Sequence, residues 1–217
     1  MKDHWQRVRA QPLAIQMIWA ALAVEFLVAL WERQWPLAGV ATITAALTLA
    51  PIYLSSRMGL RLPTAFLVGI TLFIFATIFL GEAFDFYNRY WWWDVVLHGG
   101  SALGFGMLGF LFAFMLFEGD RFAAPAWALA LIGFTIAVTI GALWEIFEFG
   151  MDQIFGLNMQ KSGLVDTMGD LIVDVIGASI GALAGFAWLK GRQLGGFTGV
   201  FGDFVARNRR WFRKHRD

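Results

Sequence analysis

Six long apolar stretches, separated by short polar segments, dominate the chain. They cover approximately residues 13–31, 36–54, 63–83, 96–117, 125–148 and 170–189. A helix that crosses a bilayer needs about 20 mainly apolar residues, and each stretch is close to that length. The pattern predicts an all-α polytopic membrane protein with six transmembrane helices in a compact bundle over residues 1–196. A basic amphipathic cytoplasmic tail, residues 197–217, is expected to follow.

Composition supports this assignment. Of the 217 residues, 59% are hydrophobic and only 15% are charged, whereas a soluble domain carries about 25% charged residues. The first apolar stretch is long for a signal peptide and no A-x-A-like cleavage site follows it, so we interpret it as a retained helix. The absence of cysteine excludes disulfides, thiolate metal sites and a cysteine nucleophile.

The basic residues predict the orientation of the helices. With a cytoplasmic N-terminus, fourteen of the 17 lysines and arginines fall on the inner side, and only Arg33, Arg89 and Lys161 fall outside. Such a bias follows the positive-inside rule of multi-pass membrane proteins. We therefore expect both termini to be cytoplasmic.

Acidic residues concentrate near the predicted outer ends of spans three to six. Nine of the sixteen acids lie there, together with His98. The nine are Glu82, Asp85, Asp94, Glu145, Glu148, Asp152, Asp166, Asp170 and Asp174. Because acids of one span recur at intervals of three or four residues, each set shares one helix face. The pattern predicts that the acidic faces of spans four, five and six meet just below the outer interface.

So many carboxylates need a counter-charge, and no lysine or arginine lies within these spans. In a low-dielectric place, either some acids are protonated or a bound cation neutralises them. Carboxylates joined by one imidazole suit Mn²⁺, Fe²⁺ or Zn²⁺, and carboxylates alone suit Ca²⁺ or Mg²⁺. We predict a divalent cation site of unknown metal identity. Its expected ligands are His98, Glu145, Asp170 and Asp174, with Asp94, Glu148 and Asp166 as supporting or alternative ligands.

Structural explanations compete with this hypothesis for several acids taken singly. Asp166 is a candidate N-cap of the sixth helix, with Thr167 and Asp170 forming a pair that resembles a capping box. Glu148 and Asp152 are candidates for solvated residues at the interface, where a charge costs little. These explanations are weaker for the four expected ligands, which lie within the spans.

The tail combines apolar and basic residues at helical spacing in FTGVFGDFVARNRRWFRKHR, residues 197–216. This pattern is typical of an amphipathic helix on an anionic cytoplasmic leaflet. A membrane-protein partner is a further candidate for this segment. Nucleic acid is not expected as a partner, because the bilayer already presents an anionic surface beside the tail.

Three sequence blocks carry a family resemblance: WWWDVVLHGGSALGFG, ALWEIFEFGMDQIFG and GLVDTMGDLIVDVIGASIGAL. They resemble the YjdF-like bacterial inner-membrane proteins, an uncharacterised family, over spans four to six. A looser similarity exists to VanZ-like membrane proteins, although Glu148 stands where that pattern often has glutamine. The resemblance implies an inner-membrane location and brings no assigned reaction.

Three functions fit these patterns. The first is a cation site near the periplasmic face, with metal-dependent chemistry on envelope lipids as one use of it. The second is a cation or proton transporter in which Glu25 continues the path inward. The third is a non-catalytic accessory subunit of a larger membrane complex. The chain contains no P-loop.

Overall fold

A computed structural model describes residues 10–120, 123–192 and 196–213, and these ranges contain helices and no strands. The α-helices are α1 (Leu13–Trp31), α2 (Trp35–Met58), α3 (Thr64–Ile74), α4 (Phe86–Arg89), α5 (Trp92–Leu116), α6 (Ala126–Phe155), α7 (Leu164–Leu189) and α8 (Gly196–Arg207). Helix α3 continues as a π-helix, Phe75–Ala83, and a 3₁₀ turn, Arg209–Trp211, follows α8. The prediction of an all-α polytopic membrane protein is confirmed.

Six of the helical segments are long and apolar enough to cross a membrane, in agreement with the six predicted spans. The predicted ends of the last two spans are wrong, because α6 continues to Phe155 and α7 begins at Leu164. With 30 residues, α6 is about 45 Å long, longer than the roughly 30 Å apolar layer of a bilayer. The apolar pattern underestimates these helices because their ends carry polar residues such as Glu148 and Asp166.

The orientation of the helices stays a prediction. Several of the basic residues on which it rests lie outside the described residues. They are Lys2, Arg7, Arg9, Arg121, Lys214 and Arg216.

The chain divides into two compact units, residues 1–91 and residues 92–217, which we call unit 1 and unit 2. We had expected one bundle over residues 1–196 with a separate tail. In unit 1, a core of Ile18, Leu22, Ala41 and Phe79 joins α1, α2 and the π-helix. The indole Nε1 of Trp19 also donates to the hydroxyl of Thr48 at 3.0 Å, which ties α1 to α2.

Glycines bring α5, α6 and α7 of unit 2 close together. A Cβ atom at Gly177 or Gly181 of α7 would overlap the backbone of α5 at Gly99 or Leu103. Such a close approach is typical of membrane helices that pack through small residues. Gly104 of α5 has open space around it. Gly106, on an adjacent face of α5, contacts the backbone of α7 instead.

The tail helix α8 packs on unit 2 through its apolar side. Phe201 is fully buried, and its ring contacts the rings of Phe110 and Trp188. Phe212 is also buried, stacked on Phe114. The described apolar residues of the tail are therefore used mainly within the protein, although the sequence pattern suggested a surface for lipid. The side chain of Phe197 lies outside the described residues.

Candidate metal centre

Three helix ends build the candidate site at one end of unit 2. His98 lies six residues after the start of α5, and Asp170 lies six residues after the start of α7. Glu145 lies ten residues before the end of α6, which runs in the opposite direction. These steps correspond to about 9 Å and about 15 Å along the helix axes. The ligand atoms of the three side chains lie within 4.8 Å of one another, so the helices bring them to one level within the membrane-spanning segments.

The first group in the site consists of His98, Glu145 and Asp170, which we call the inner triad. One ligand atom of each residue lies within 4.8 Å of the others, and all three residues are buried. The Nε2 atom of His98 is 3.9 Å from Oε1 of Glu145. These three residues are three of the four ligands predicted from the sequence.

Glu145 is the least satisfied residue of the inner triad. Its side chain is 4% exposed, and among the described residues no donor hydrogen-bonds to either carboxylate oxygen. The hydroxyl of Thr167 faces Glu145 and also accepts a hydrogen bond from Nε2 of Gln160 at 2.6 Å. A buried ionised carboxylate with no donor is unfavourable by several kcal/mol, so this group calls for a proton or a cation.

Asp174, the fourth predicted ligand, lies beside the other ring nitrogen of His98. Its Oδ1 atom lies 3.4 Å from Nδ1 of His98, the ring nitrogen opposite the inner triad. Its other oxygen, Oδ2, is buried without a hydrogen-bond partner among the described residues and points at the backbone of Gly141, where a Cβ atom would overlap it. An imidazole held at one nitrogen by a carboxylate, with the other nitrogen facing anionic ligands, is the arrangement of metal-ligating histidines.

A second group consists of Asp94, Asp166 and Asp170, which we call the outer triad. Their ligand oxygens also lie within 4.8 Å of one another, and Asp170 belongs to both triads. Asp94 lies 3.7 Å from Nε2 of His98 and forms an ion pair with Lys161, whose Nζ atom is 3.0 Å from Oδ2. Two of the three predicted supporting acids, Asp94 and Asp166, therefore lie beside the inner triad.

The other acids have local partners. Glu148 accepts a hydrogen bond from Nε1 of Trp144 at 3.0 Å and belongs to neither triad. Asp152 accepts from the backbone amides of Met159 and Gln160, at 2.7 and 3.0 Å, and so fixes the loop between α6 and α7. Asp166 is not an N-cap, because α7 begins at Leu164 and its N-cap is Gly163.

Glu82 and Asp85, two further acids of the predicted outer ends, belong to unit 1. Asp85 accepts a hydrogen bond from Nδ2 of Asn88 at 2.6 Å, an interaction within its own turn.

Two polar neighbours of the site were not identified as such from the sequence. Thr167 was considered only as part of a capping pair, yet it precedes Asp170 by three residues and so shares its helix face. That spacing could have identified Thr167 as a neighbour of the site. Gln160 gave no comparable signal, because its position depends on the loop that Asp152 fixes.

Comparisons with known proteins agree with this picture of a membrane protein. A family model described as "Predicted membrane protein (DUF2238)" matches residues 13–191. An "Uncharacterized protein" of Thermotoga maritima is 34% identical over 104 residues, which cover 48% of this chain and 53% of that protein. The chain thus spans about half the length of this curated relative.

No solved structure matches the chain. The family match is consistent with the resemblance to YjdF-like proteins. Because the family model covers six apolar helices and every residue of both triads, the chain belongs to the DUF2238 family of predicted membrane proteins.

Proposed function

We propose that this protein binds one divalent cation at the inner triad, through Nε2 of His98 and the carboxylates of Glu145 and Asp170. The observation that carries the proposal is the buried carboxylate of Glu145, to which none of the residues in the described ranges donates a hydrogen bond. It lies within 4.8 Å of a second buried carboxylate and an imidazole. A cation shared by the three groups removes the electrostatic penalty of burying them together.

The ligand set favours particular metals. One imidazole and two carboxylates suit Mn²⁺, Fe²⁺ or Zn²⁺ better than Ca²⁺, which prefers oxygen ligands alone. Asp174 is the positioning residue in this proposal, because a hydrogen bond accepted from Nδ1–H of His98 leaves the Nε2 lone pair directed at the triad.

The chemistry that we propose for the site depends on its depth in the membrane and on the side of the membrane that it faces. The excess of basic residues in the opposite loops supports a periplasmic location for this end of the helices, in a bacterial inner membrane. There the triad lies near the level of lipid headgroups. A cation bound there supplies a polarised water or a Lewis acid for chemistry on a headgroup phosphate or ester of an envelope lipid. Lys161 and Asp94 would form the polar rim that such a headgroup meets.

A transport path through unit 2 is less well supported than cation binding. Inward of Asp174, the buried side chains that join the helices are mainly those of small and aromatic residues, such as Ala102, Ala137 and Ala178. The hydroxyls of Ser101 and Ser179 donate to backbone carbonyls of their own helices. These described residues therefore offer no relay of free polar groups that leads away from the site.

The tail supports a separate proposal about lipid contact. With its apolar face packed on α5 and α7, the side chains that remain exposed include those of Arg207, Arg209 and Arg210. We propose that these arginines contact anionic headgroups by charge alone, without insertion of the helix. A membrane-protein partner would use the same basic surface.

Metal analysis of the purified full-length protein tests the cation site. After equilibration with Mn²⁺, wild type is expected to retain one ion per chain, and Glu145→Gln and Asp170→Asn to lose it. EDTA should lower the thermal stability of wild type and leave that of Glu145→Gln unchanged, because the glutamine needs no counter-charge.

Glu118→Gln is the matched control for this test. Glu118 is a partly exposed acid at the other end of α5, where it pairs with Arg213, so this variant should keep the ion. Wild type free of metal and insensitive to EDTA would rule out the proposed site.

A further inference from the structure

The acidic cluster of unit 2 has an outer half that the proposed cation does not fill. Asp94, Asp166 and Asp170 bring three carboxylates within 4.8 Å of one another, and only Asp170 is shared with the inner triad. Asp170 is 5% exposed and can direct one oxygen to each half. A single ion at the inner triad therefore leaves Asp94 and Asp166 to be neutralised by something else.

Lys161 supplies a positive charge at this position. Its ammonium nitrogen lies 3.0 Å from Oδ2 of Asp94, and this ion pair is only partly open to solvent, with side chains 26% and 20% exposed. The charge of Lys161 also acts on Asp166. Among the residues that the structure describes, Lys161 is the one lysine or arginine paired with an acid of either triad.

The loop that carries Lys161 is fixed by the site end of α6. Asp152 accepts hydrogen bonds from the amides of Met159 and Gln160, the two residues before Lys161. Gln160 in turn donates to Thr167 of α7. These bonds hold the lysine backbone over the outer triad, so its ammonium group reaches Asp94 from a constrained position.

We infer that Lys161 is a tethered cation that occupies the outer triad and restricts the acidic cluster to one divalent ion. The inference rests on the proposed cation site at the inner triad. Two divalent ions that share a carboxylate lie about 3.5–4 Å apart in proteins, and the shared residue here is Asp170. With the ammonium group in place, a second ion meets its repulsion and lacks a free Asp94. Without it, the outer triad presents three carboxylates and no positive partner.

The test is the number of Mn²⁺ ions bound per chain at saturation, measured by equilibrium dialysis and elemental analysis of the full-length protein in detergent. Wild type should bind one ion and Lys161→Gln two. Lys161→Arg retains the charge and should bind one. Lys190→Gln removes a lysine at the other end of α7, where its residue is exposed, and should also bind one.

The outcomes separate this inference from the proposed function. One ion in both wild type and Lys161→Gln, with equal affinity, overturns the role of Lys161 and leaves the inner triad intact. Two ions in wild type also overturn it. No ion in wild type but one in Lys161→Gln overturns the inner site while supporting the tethered cation. No ion in any variant overturns both. The double variant Glu145→Gln/Lys161→Gln should retain only the outer ion, which checks the assignment.

Discussion

At the scale of single residues, the site assigns different roles to two buried carboxylates. Glu145 faces Nε2 of His98 at 3.9 Å, on the side of the other triad ligands. Asp174 faces Nδ1 at 3.4 Å, on the opposite side of the ring. The first position suits a metal ligand, and the second suits a residue that orients the histidine.

Asp174→Asn separates these roles. We expect this variant to keep one Mn²⁺ ion per chain but to bind it about 10–100-fold more weakly, the usual effect of losing a partner of a metal-bound histidine. A Mn²⁺ titration followed by electron paramagnetic resonance measures the affinity. If Asp174→Asn loses the ion as completely as Glu145→Gln, then Asp174 is itself a ligand, as the sequence alone suggested.

The sequence predicted the members of the site better than their roles. Helical spacing placed His98, Glu145 and Asp170 at one depth because the α-helix has a fixed rise and turn. The same spacing cannot tell which nitrogen of His98 a given acid approaches, since that depends on the ring rotamer and on the axial rotation of the neighbouring helix. The ion pair of Lys161 with Asp94 could not be predicted from the sequence either, because it depends on the conformation of the loop that carries Lys161.

At the scale of helices, glycines set the distance between α5 and α7 and so the width of the site. A Cβ atom at Gly181 would overlap the carbonyl oxygen of Leu103, a backbone atom that cannot move aside cheaply. A Cβ atom at Gly104 of α5 would meet nothing within 4 Å. The sequence alone does not show which of these two glycines faces a neighbouring helix.

These two glycines provide a matched pair of substitutions. Gly181→Ala should lower the free energy of unfolding by about 1–3 kcal/mol, the usual cost of overpacking. Gly104→Ala should be neutral or stabilising by up to about 1 kcal/mol, because alanine favours the helix. Thermal denaturation in detergent compares them. Equal losses in both variants would contradict the close approach of α5 and α7 at Gly181.

The boundaries of the helices show where a hydrophobicity pattern is least informative. Helix α7 begins at Leu164, six residues before the predicted start at residue 170, and includes Asp166 in its first turn. Polar residues at a membrane interface cost little, so the end of an apolar stretch marks the edge of the bilayer rather than the end of the helix.

At the scale of the whole molecule, the tail helix is part of unit 2. Its aromatic residues complete a cluster with Phe110, Phe114 and Trp188. An amphipathic pattern alone cannot distinguish an apolar face that enters lipid from one that packs on the protein, because both bury the same residues. The sequence therefore predicted the helix correctly but not what covers its apolar face.

Phe201→Ala tests the packing of the tail. Because Phe201 is fully buried, this truncation should destabilise unit 2 by about 3–5 kcal/mol, whether or not anionic lipid is present. Trp211→Ala is the control, because Trp211 is 40% exposed and its loss should cost much less. Thermal stability in neutral and in anionic nanodiscs measures both. A Phe201→Ala protein as stable as wild type in neutral nanodiscs would contradict the packed tail.

The central claim is that the inner triad holds a divalent cation, and a structure determined from crystals grown with Mn²⁺ tests it most directly. Anomalous difference density should show a peak at bonding distance from Nε2 of His98 and the carboxylates of Glu145 and Asp170. Asp174 should remain on Nδ1 of the same ring, and the peak should be absent from Glu145→Gln crystals. A wild-type map without a peak at this position, at Mn²⁺ concentrations that saturate other sites, would contradict the account.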